Sequence, residues 1–365
     1  MYRRMLKNLS LCIVIIMLIS MFGGCTRETS TNPDVKGSES PGTPISETPT
    51  ASMPPKEDIK PVISTPKADD TPQPLDFTWK PHVFSDIYLK VYGEEMQQTF
   101  YAMVDAVMTG AESFSCPDEQ TMYNIGTVAN VCFPPYSILV SGIHYNEGAV
   151  YLTYVHDNKK REELLDEFID QVTNIVMGSG IMEGDSPEVA AILIYHYYSQ
   201  IIMYDYSATD DDVMVDVSSY RAIGELSGIC QSFGAAYAYL CLQGGIDAVI
   251  TGGLNESFVA HDWTLLTLDG NYYYADPTYE NGYGGQGLRY FGMTAAKRES
   301  EDGYIAEDYN VGNTNELWGR DIDVTDETFS PLWEATLVES MQRTNDGLKI
   351  QCVKEDGTQF EFIVK

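Results

Sequence analysis

Residues 228–279 read GICQSFGAAYAYLCLQGGIDAVITGGLNESFVAHDWTLLTLDGNYYYADPTY, and the order of chemistry along them organises the whole chain. From Phe233, the residues Ala236, Tyr237, Leu240 and Cys241 follow at i+3, i+4, i+7 and i+8, the repeat of one buried helical face. Ser227 stands where an N-cap is expected, and Gly244-Gly245 is a stop signal. Cys230 therefore falls in the first turn of a helix packed on the core. Unpaired backbone N–H groups and the helix dipole favour a thiolate there, so its pKa is expected to fall. Cys241, on the same face, reads as a buried structural cysteine, and that reading competes for Cys230 until the next segment is considered.

The next segment supplies two β-rich runs, VAHDWTLLTL and NYYYADPTY, joined at Asp269-Gly270, a strong hairpin signal. With Asp-Gly as a two-residue loop, Leu268 faces Asn271, Trp263 faces Asp276 and His261 faces Thr278. Strand side chains alternate, so His261, Trp263, Tyr274 and Asp276 project to one side, with His261 and Asp276 as diagonal neighbours. A one-residue slip would put them on opposite faces. A cysteine at a helix start, a histidine and an aspartate on one sheet face are the parts of an acyl-transfer triad: His261 deprotonates Cys230 and Asp276 fixes the imidazole tautomer.

The run of motifs G-x-C, small and aromatic residues, Gly-Ile, H-x-W and D-G-x-Y-Y-x-x-D-P-T resembles the core of the transglutaminase-like superfamily over roughly residues 186–294. The resemblance implies that Cys230, His261 and Asp276 are the catalytic residues. It also implies an α+β fold, papain-like in plan, with the nucleophile-bearing helix packed on an antiparallel sheet. Tyr220 falls in SSYRAI, similar to the family's lead-in to its cysteine, so its hydroxyl is a candidate to assist the Cys230 N–H in an oxyanion hole, with core packing as the alternative. Two departures stand beside the triad. Asp262 occupies a position where a small residue is common and bears on the charge of the pocket, and Thr264 replaces a frequent asparagine. Some members of the family depend on calcium. The acidic run YDYSATDDDVMVD, with Asp205, Asp210, Asp211, Asp212 and Asp216, lacks ordered calcium-loop spacing and reads as a solvated loop.

The start of the chain carries Arg3, Arg4 and Lys7, an apolar run too short to span a membrane, and then Gly23-Gly24-Cys25. Small residues before a cysteine resemble a bacterial lipoprotein cleavage box, with Cys25 as the lipid anchor and Phe22 where leucine is usual; an ordinary secretory signal is the alternative. Residues 26–75 hold ten of the seventeen prolines and fourteen Ser or Thr, too little apolar surface to offset chain entropy, and read as a disordered tether. These first 75 residues have no net charge, so the remaining 290 carry the whole −32. Such an acidic surface excludes nucleic acid as a partner and repels anionic head groups.

Of seven cysteines, Cys12 and Cys25 belong to the leader, leaving Cys116, Cys132, Cys230, Cys241 and Cys352. An odd number in an exported protein leaves at least one thiol free. Spacing leaves open whether Cys116 and Cys132 pair. No CxxC and no ligand-spaced histidine pair occurs, and NGYGGQG lacks the strand-to-helix context of a phosphate cradle and reads as a surface loop, so no metal or cofactor is expected.

Periodicity predicts helices over 86–109, 119–133 and 159–177, and a hairpin from SILVSGIHY and AVYLTYVH around Asn146-Glu147-Gly148. A further helix opens at Ser186-Pro187-Glu188, with His196 as a satisfied core histidine; His82, His144 and His156 have no cysteine–aspartate context. Alternation at Leu348, Ile350 and Cys352, then Phe360, Phe362 and Val364, gives a small antiparallel β-unit. The expected organisation is a lipoprotein signal (1–25), a tether (26–76), a helix–hairpin–helix region (77–182), the catalytic domain (183–330) and the C-terminal β-unit (331–365). The expected function is that of a thiol-dependent enzyme outside a bacterial membrane, acting on amide bonds of peptides or proteins. Hydrolysis is preferred to transfer onto an amine, since water needs no dedicated site. A silent binding module would not require all three triad members.

Overall fold

The computed structural model describes residues 75–208, 218–257, 259–305 and 322–365. The expected leader with Cys25, the tether, and Asp210, Asp211, Asp212 and Asp216 of the acidic run lie outside these residues.

Most helices begin where a short polar side chain accepts a first-turn amide. Ser85 caps α1 (Asp86–Thr109), which ends at Gly110 with φ +76°. It is not one straight helix as its periodicity suggests, because Gly93 sits inside it at φ +82°, a conformation only glycine takes without strain. After β1 (Ser113–Ser115), Asp118 caps α2 (Glu119–Cys132). Residues 137–139, expected at the start of a strand, instead belong to the single turn α3 (Tyr136–Leu139). Pro135 is locked at φ −58° and ψ −21°, which starts a helical turn before β2 (Val140–Asn146) can begin. β2 and β3 (Ala149–Tyr154) make the expected hairpin, and β1 adds to its far edge in the order β1-β3-β2. Asp157 caps α4 (Asn158–Gly178), whose Phe168, Val172, Ile175 and Val176 are buried. Ser186, followed by Pro187, caps α5 (Pro187–Ile201) as expected.

The short strand β4 (Met203–Tyr204) pairs in parallel with β5 (Ser227–Gly228), with α6 (Ser219–Gly224) between them in the chain. Ser227 is thus a strand residue and not the N-cap expected of it. The cap position of α7 (Cys230–Gln243) is Ile229. α7 lies on a three-stranded antiparallel sheet of β6 (Asp247–Leu254), β7 (Ala260–Leu268) and β8 (Asn271–Ala275), with β7 central. Then come α8 (Pro277–Gly282), α9 (Ala295–Asp302) and the strands β9 (Leu337–Thr344), β10 (Gly347–Val353) and β11 (Gln359–Val364), antiparallel in the order β11-β10-β9. The fold is α+β, with the helix that starts at Cys230 on an antiparallel sheet.

Strand β6 has no counterpart in the sequence reading. Its DAVITGGL ends in two glycines, which weaken a strand signal. The tertiary structure demands both. A Cβ on Gly252 would lie 2.1 Å from Asp262 Oδ1, and one on Gly253 would lie 2.6 Å from Ile305 O and 2.9 Å from the Trp263 ring. The Gly-rich loop is likewise not all surface. Gly285 and Gly287 are buried, with no room for a Cβ against Ser199 O and Ala335 O.

One hydrophobic core collects residues from Val83 near the start of the described chain to Val364 at its end. Polar ties hold the flanking regions to the part of the fold around α7 and the β6–β8 sheet. Asp247 accepts from Ser85 Oγ at 2.6 Å, Asp86 N at 2.9 Å and Thr267 Oγ1 at 3.1 Å. The Lys80 backbone bonds both ends of the Gln243 amide. On the opposite flank, Arg343 reaches from β9 to Asp185 and to Gly180 O, and Ser186 Oγ donates to Lys365 O.

Candidate active site

Cys230 enters the site because α7 starts at it, and two contacts press that helix onto β7. Gly234 has no side chain, and a Cβ there would sit 3.1 Å from the Trp263 carbonyl carbon and 3.2 Å from its oxygen. Thr264 Oγ1 donates to Gly234 O at 2.8 Å, buried, so the threonine that departs from the family pattern serves as a clasp between helix and strand. A net contribution of about 1 kcal/mol is usual for such a bond, and losing it would leave a buried carbonyl unpaired. Because Ile229 has no side-chain acceptor, no cap takes up the first-turn amides. Ser232, in that turn, accepts from Ile229 N at 3.4 Å, and a Cβ on Gly228 would collide with it.

The hairpin register is the expected one from Leu268↔Asn271 to Thr264↔Ala275, and there it stops. Asp276 does not pair across to Trp263, nor Thr278 to His261. Pro277 has no N–H for the ladder and takes the first position of α8, with Asp276 as its cap. The cap and the triad role coincide in one carboxylate. Oδ1 accepts from Thr278 N at 3.1 Å and Tyr279 N at 3.0 Å, while Oδ2 accepts from His261 Nε2 at 2.7 Å. His261 is held on its other side by β6, where it faces Gly253. With Nε2 taken, Nδ1 is the ring nitrogen left for Cys230.

Charge follows geometry. Burial works against a charged His261, yet the Asp276 carboxylate and, next, the Cys230 side chain outweigh it and raise the imidazole from 6.5 to about 10. Burial likewise works against an ionised Asp276, and its partners, His261 first and then Arg298, overcome that and hold it below the ordinary carboxylate value. Cys230 is half-buried and free, whereas Cys116, Cys132, Cys241 and Cys352 are free and buried. Burial raises the thiols of all four, Cys241 and Cys352 to about 12. Cys116 and Cys132 form no disulfide.

The other candidates take structural places. Tyr220 stacks on Phe168 at 5.3 Å and 13° between planes, which is the packing alternative for it. Asp262 is buried and, by strand alternation, lies on the face of β7 opposite His261. His196 meets Gly287 O at 3.3 Å, and burial lowers it to about 4. Asp205 accepts from Ser207 and from Arg221 Nη2 at 2.7 Å, so its charge is already matched. Among the described residues no cluster of three or more metal-ligating side chains occurs. No described helix is long and apolar enough to cross a membrane.

Sequence reasoning missed Arg298, Tyr279 and Tyr304. The two tyrosine rings flank His261 at 4.9 and 5.2 Å, and Arg298 Nη2 lies 3.5 Å from Asp276 Oδ2. Tyr279 follows the D-P-T motif directly and was within reach of the motif reading. Arg298 sits in the polar run AAKRESED, where a charged residue reads as solvated.

No protein-family model and no curated protein matches the sequence. A solved TGase is similar at 15% identity and TM-score 0.29, over 38% of this chain and 43% of that one. A putative cysteine protease from Cytophaga hutchinsonii is similar at 14% and 0.25, over 39% and 62%. The periplasmic domain of TgpA from Pseudomonas aeruginosa, bound to ethylmercury, is similar at 18% and 0.21, over 35% and 46%. The chain spans less than two thirds of each, and likeness at this level does not extend to activity.

Differential accessibility gives the first test. Iodoacetamide at limiting dose is expected to modify Cys230 ahead of Cys116, Cys132, Cys241 and Cys352, with the order read by peptide mass mapping, and His261→Ala is expected to slow that labelling at least tenfold (an order-of-magnitude figure for loss of a positioned base). Labelling of a buried cysteine at a comparable rate would contradict the site.

Linkage gives the second. A raised His261 contributes stability that is complete below pH 6.5 and lost as pH rises toward about 10. A depressed Asp276 contributes stability present above pH 3.8 and lost as pH falls through its lowered value. The difference in urea stability between the native protein and Asp276→Asn is therefore expected to peak between about pH 4 and 6.5 and to shrink on the alkaline side. A difference that grows from pH 7 to 10 would reverse the assignment of charges.

Proposed function

We propose that the chain is a thiol-dependent acyl-transfer enzyme that hydrolyses amide bonds of peptides or proteins outside the cell. The observation that carries this reading is a half-buried cysteine at a helix start beside an imidazole whose far nitrogen is bonded, at 2.7 Å, to a fully buried carboxylate.

In the reaction, Cys230 Sγ attacks the amide carbonyl carbon, and the negative charge that develops on oxygen is met by first-turn amides of α7, the Cys230 N–H among them. His261, protonated, gives its proton to the departing amine as the C–N bond breaks, leaving a thioester on Cys230 and a neutral imidazole. Water then attacks the thioester, His261 takes its proton, and release of the carboxylic acid restores thiolate and imidazolium. Asp276 stays ionised throughout and keeps Nε2–H pointed at itself, so that Nδ1 carries the proton that moves.

Transfer to an amine instead of water would need a place that holds an ammonium beside the thioester. Asp262, next to His261 in sequence, lies on the opposite face of β7 from the imidazole, and hydrolysis is preferred because water needs no dedicated site. A role for the Tyr220 hydroxyl in the oxyanion hole remains part of the proposal only through its place in the lead-in segment. The glycine pair before Cys25 supports diacylation of that cysteine, which would tether the enzyme to the outer face of the membrane through residues 26–76.

The activity test supplies a glutamine-containing protein and a labelled primary amine beside a peptide-cleavage readout. Cleavage that disappears in Cys230→Ala, with little amine incorporated, is the expected result; incorporation without cleavage would replace hydrolase by transferase. Anchoring is tested separately by Cys25→Ser, which is expected to move the protein from the membrane fraction to the medium. Retention on the membrane would refute the lipid anchor.

A further inference from the structure

Helix α9 docks on the core through a charge. Of its eight residues only Arg298 is buried, at 0% exposure, in a position where an apolar side chain would ordinarily be found. The guanidinium is stacked among three rings, with its central carbon 4.5 Å from the centre of Tyr279 and 5.1 Å from those of Trp263 and Tyr304. Among the described residues none of its Nε, Nη1 and Nη2 atoms has a hydrogen-bond partner within ordinary geometry, and the anion it meets there is Asp276, at 3.5 Å. The same three rings lie against His261, at 4.9, 5.2 and 5.9 Å. One aromatic cage therefore holds the imidazole and the guanidinium at the same carboxylate oxygen, Asp276 Oδ2. Of the other ionisable groups close by, Lys297 pairs with Glu301, Asp302 accepts from the neutral Tyr279 hydroxyl, and the buried Glu280, raised by burial to about 7, accepts from Tyr290 N.

We propose that Arg298 is a positioning residue of the active site, whose caged guanidinium keeps Asp276 ionised and aimed so that Asp276 can hold the His261 imidazolium. The proposal rests on the triad reading above and deepens it. Charge balance is the reason the site needs it. In the thiolate–imidazolium state, Cys230 and Asp276 supply two negative charges, and His261 and Arg298 supply two positive ones. In the acyl-enzyme, the thioester is neutral and the imidazole has given up its proton, so Asp276 and Arg298 remain as a neutral pair. Without Arg298 each state would bury one uncompensated negative charge, which low dielectric penalises heavily. The choice of arginine follows from its planar, weakly hydrated cation, which stacks on rings where an ammonium would not.

The test measures the rate of Cys230 alkylation by iodoacetamide, and of peptide hydrolysis, against pH in the full chain. Arg298→Met fills similar volume without charge and is expected to move the acid limb of both profiles upward by about one pH unit. Arg298→Lys, which restores charge but not stacking, is expected to bring the limb most of the way back. A limb that stays in place in Arg298→Met, or a lysine variant no closer to native than the methionine one, would overturn the proposal and leave Arg298 as packing. If Arg298→Met does not fold, it is combined with Asp276→Asn, which removes the stranded carboxylate. Recovery to the Tm of Asp276→Asn alone supports the charge pairing, and failure to fold in that background overturns it. His261→Ala and Asp276→Asn serve as separate controls. If neither slows alkylation, the triad reading itself fails, whereas if both do and Arg298→Met leaves the limb unmoved, only the present inference falls.

Discussion

The structure around Asp276 depends on keeping one carboxylate ionised where no water reaches it. Asp276 is fully buried, and an isolated charge there would take up a proton before it would stay ionised. It stays charged because the chain turns at Pro277 and aims two backbone N–H groups at Oδ1, while His261 and Arg298 meet Oδ2. Each partner comes from a different element: α8, β7 and α9. The position of the imidazole, the end of the β7–β8 ladder and the docking of α9 are thus consequences of one electrostatic requirement.

The second requirement is distance. Cys230 and His261 lie on different elements, and bringing them together needs helix and strand closer than two ordinary side-chain layers permit. Gly234 against the Trp263 backbone, with the Thr264 hydroxyl on the Gly234 carbonyl, supplies that approach. Gly252 and Gly253 do the same on the other side of β7, admitting Asp262 and the Trp263 ring. The glycines that look like breaks in a strand pattern are contact points in three dimensions. Small residues carry the geometry here, and large ones fill what is left.

Burial also sorts the cysteines. Five thiols lie in the described part of the chain, all free, and four are deep enough that burial keeps them protonated. Only the one at the start of α7 meets both solvent and a cationic imidazole. Among the described residues, position and not residue type thus separates Cys230 from the other four thiols.

The sequence by itself determined the parts whose physics is local. Helical periodicity placed Cys230 at a helix start, Asp269-Gly270 set the hairpin register through Thr264↔Ala275, and Ser186-Pro187 announced α5. His261 and Asp276 were expected as neighbours from strand alternation, and the structure brings them together by another route, with Asp276 as the cap of α8 just past the end of the ladder. The tertiary structure alone decided what distant residues do to one another. Ser227 was displaced as a cap because β4 claimed it for pairing, a contact made across more than twenty residues. β6 was hidden because its glycines answer to Asp262, Trp263 and Ile305 and not to their own neighbours. Arg298 was invisible for the strongest form of the same reason. A lone arginine in a polar helix is indistinguishable from a solvated one until the aromatic rings and the buried carboxylate that desolvate it are brought around it.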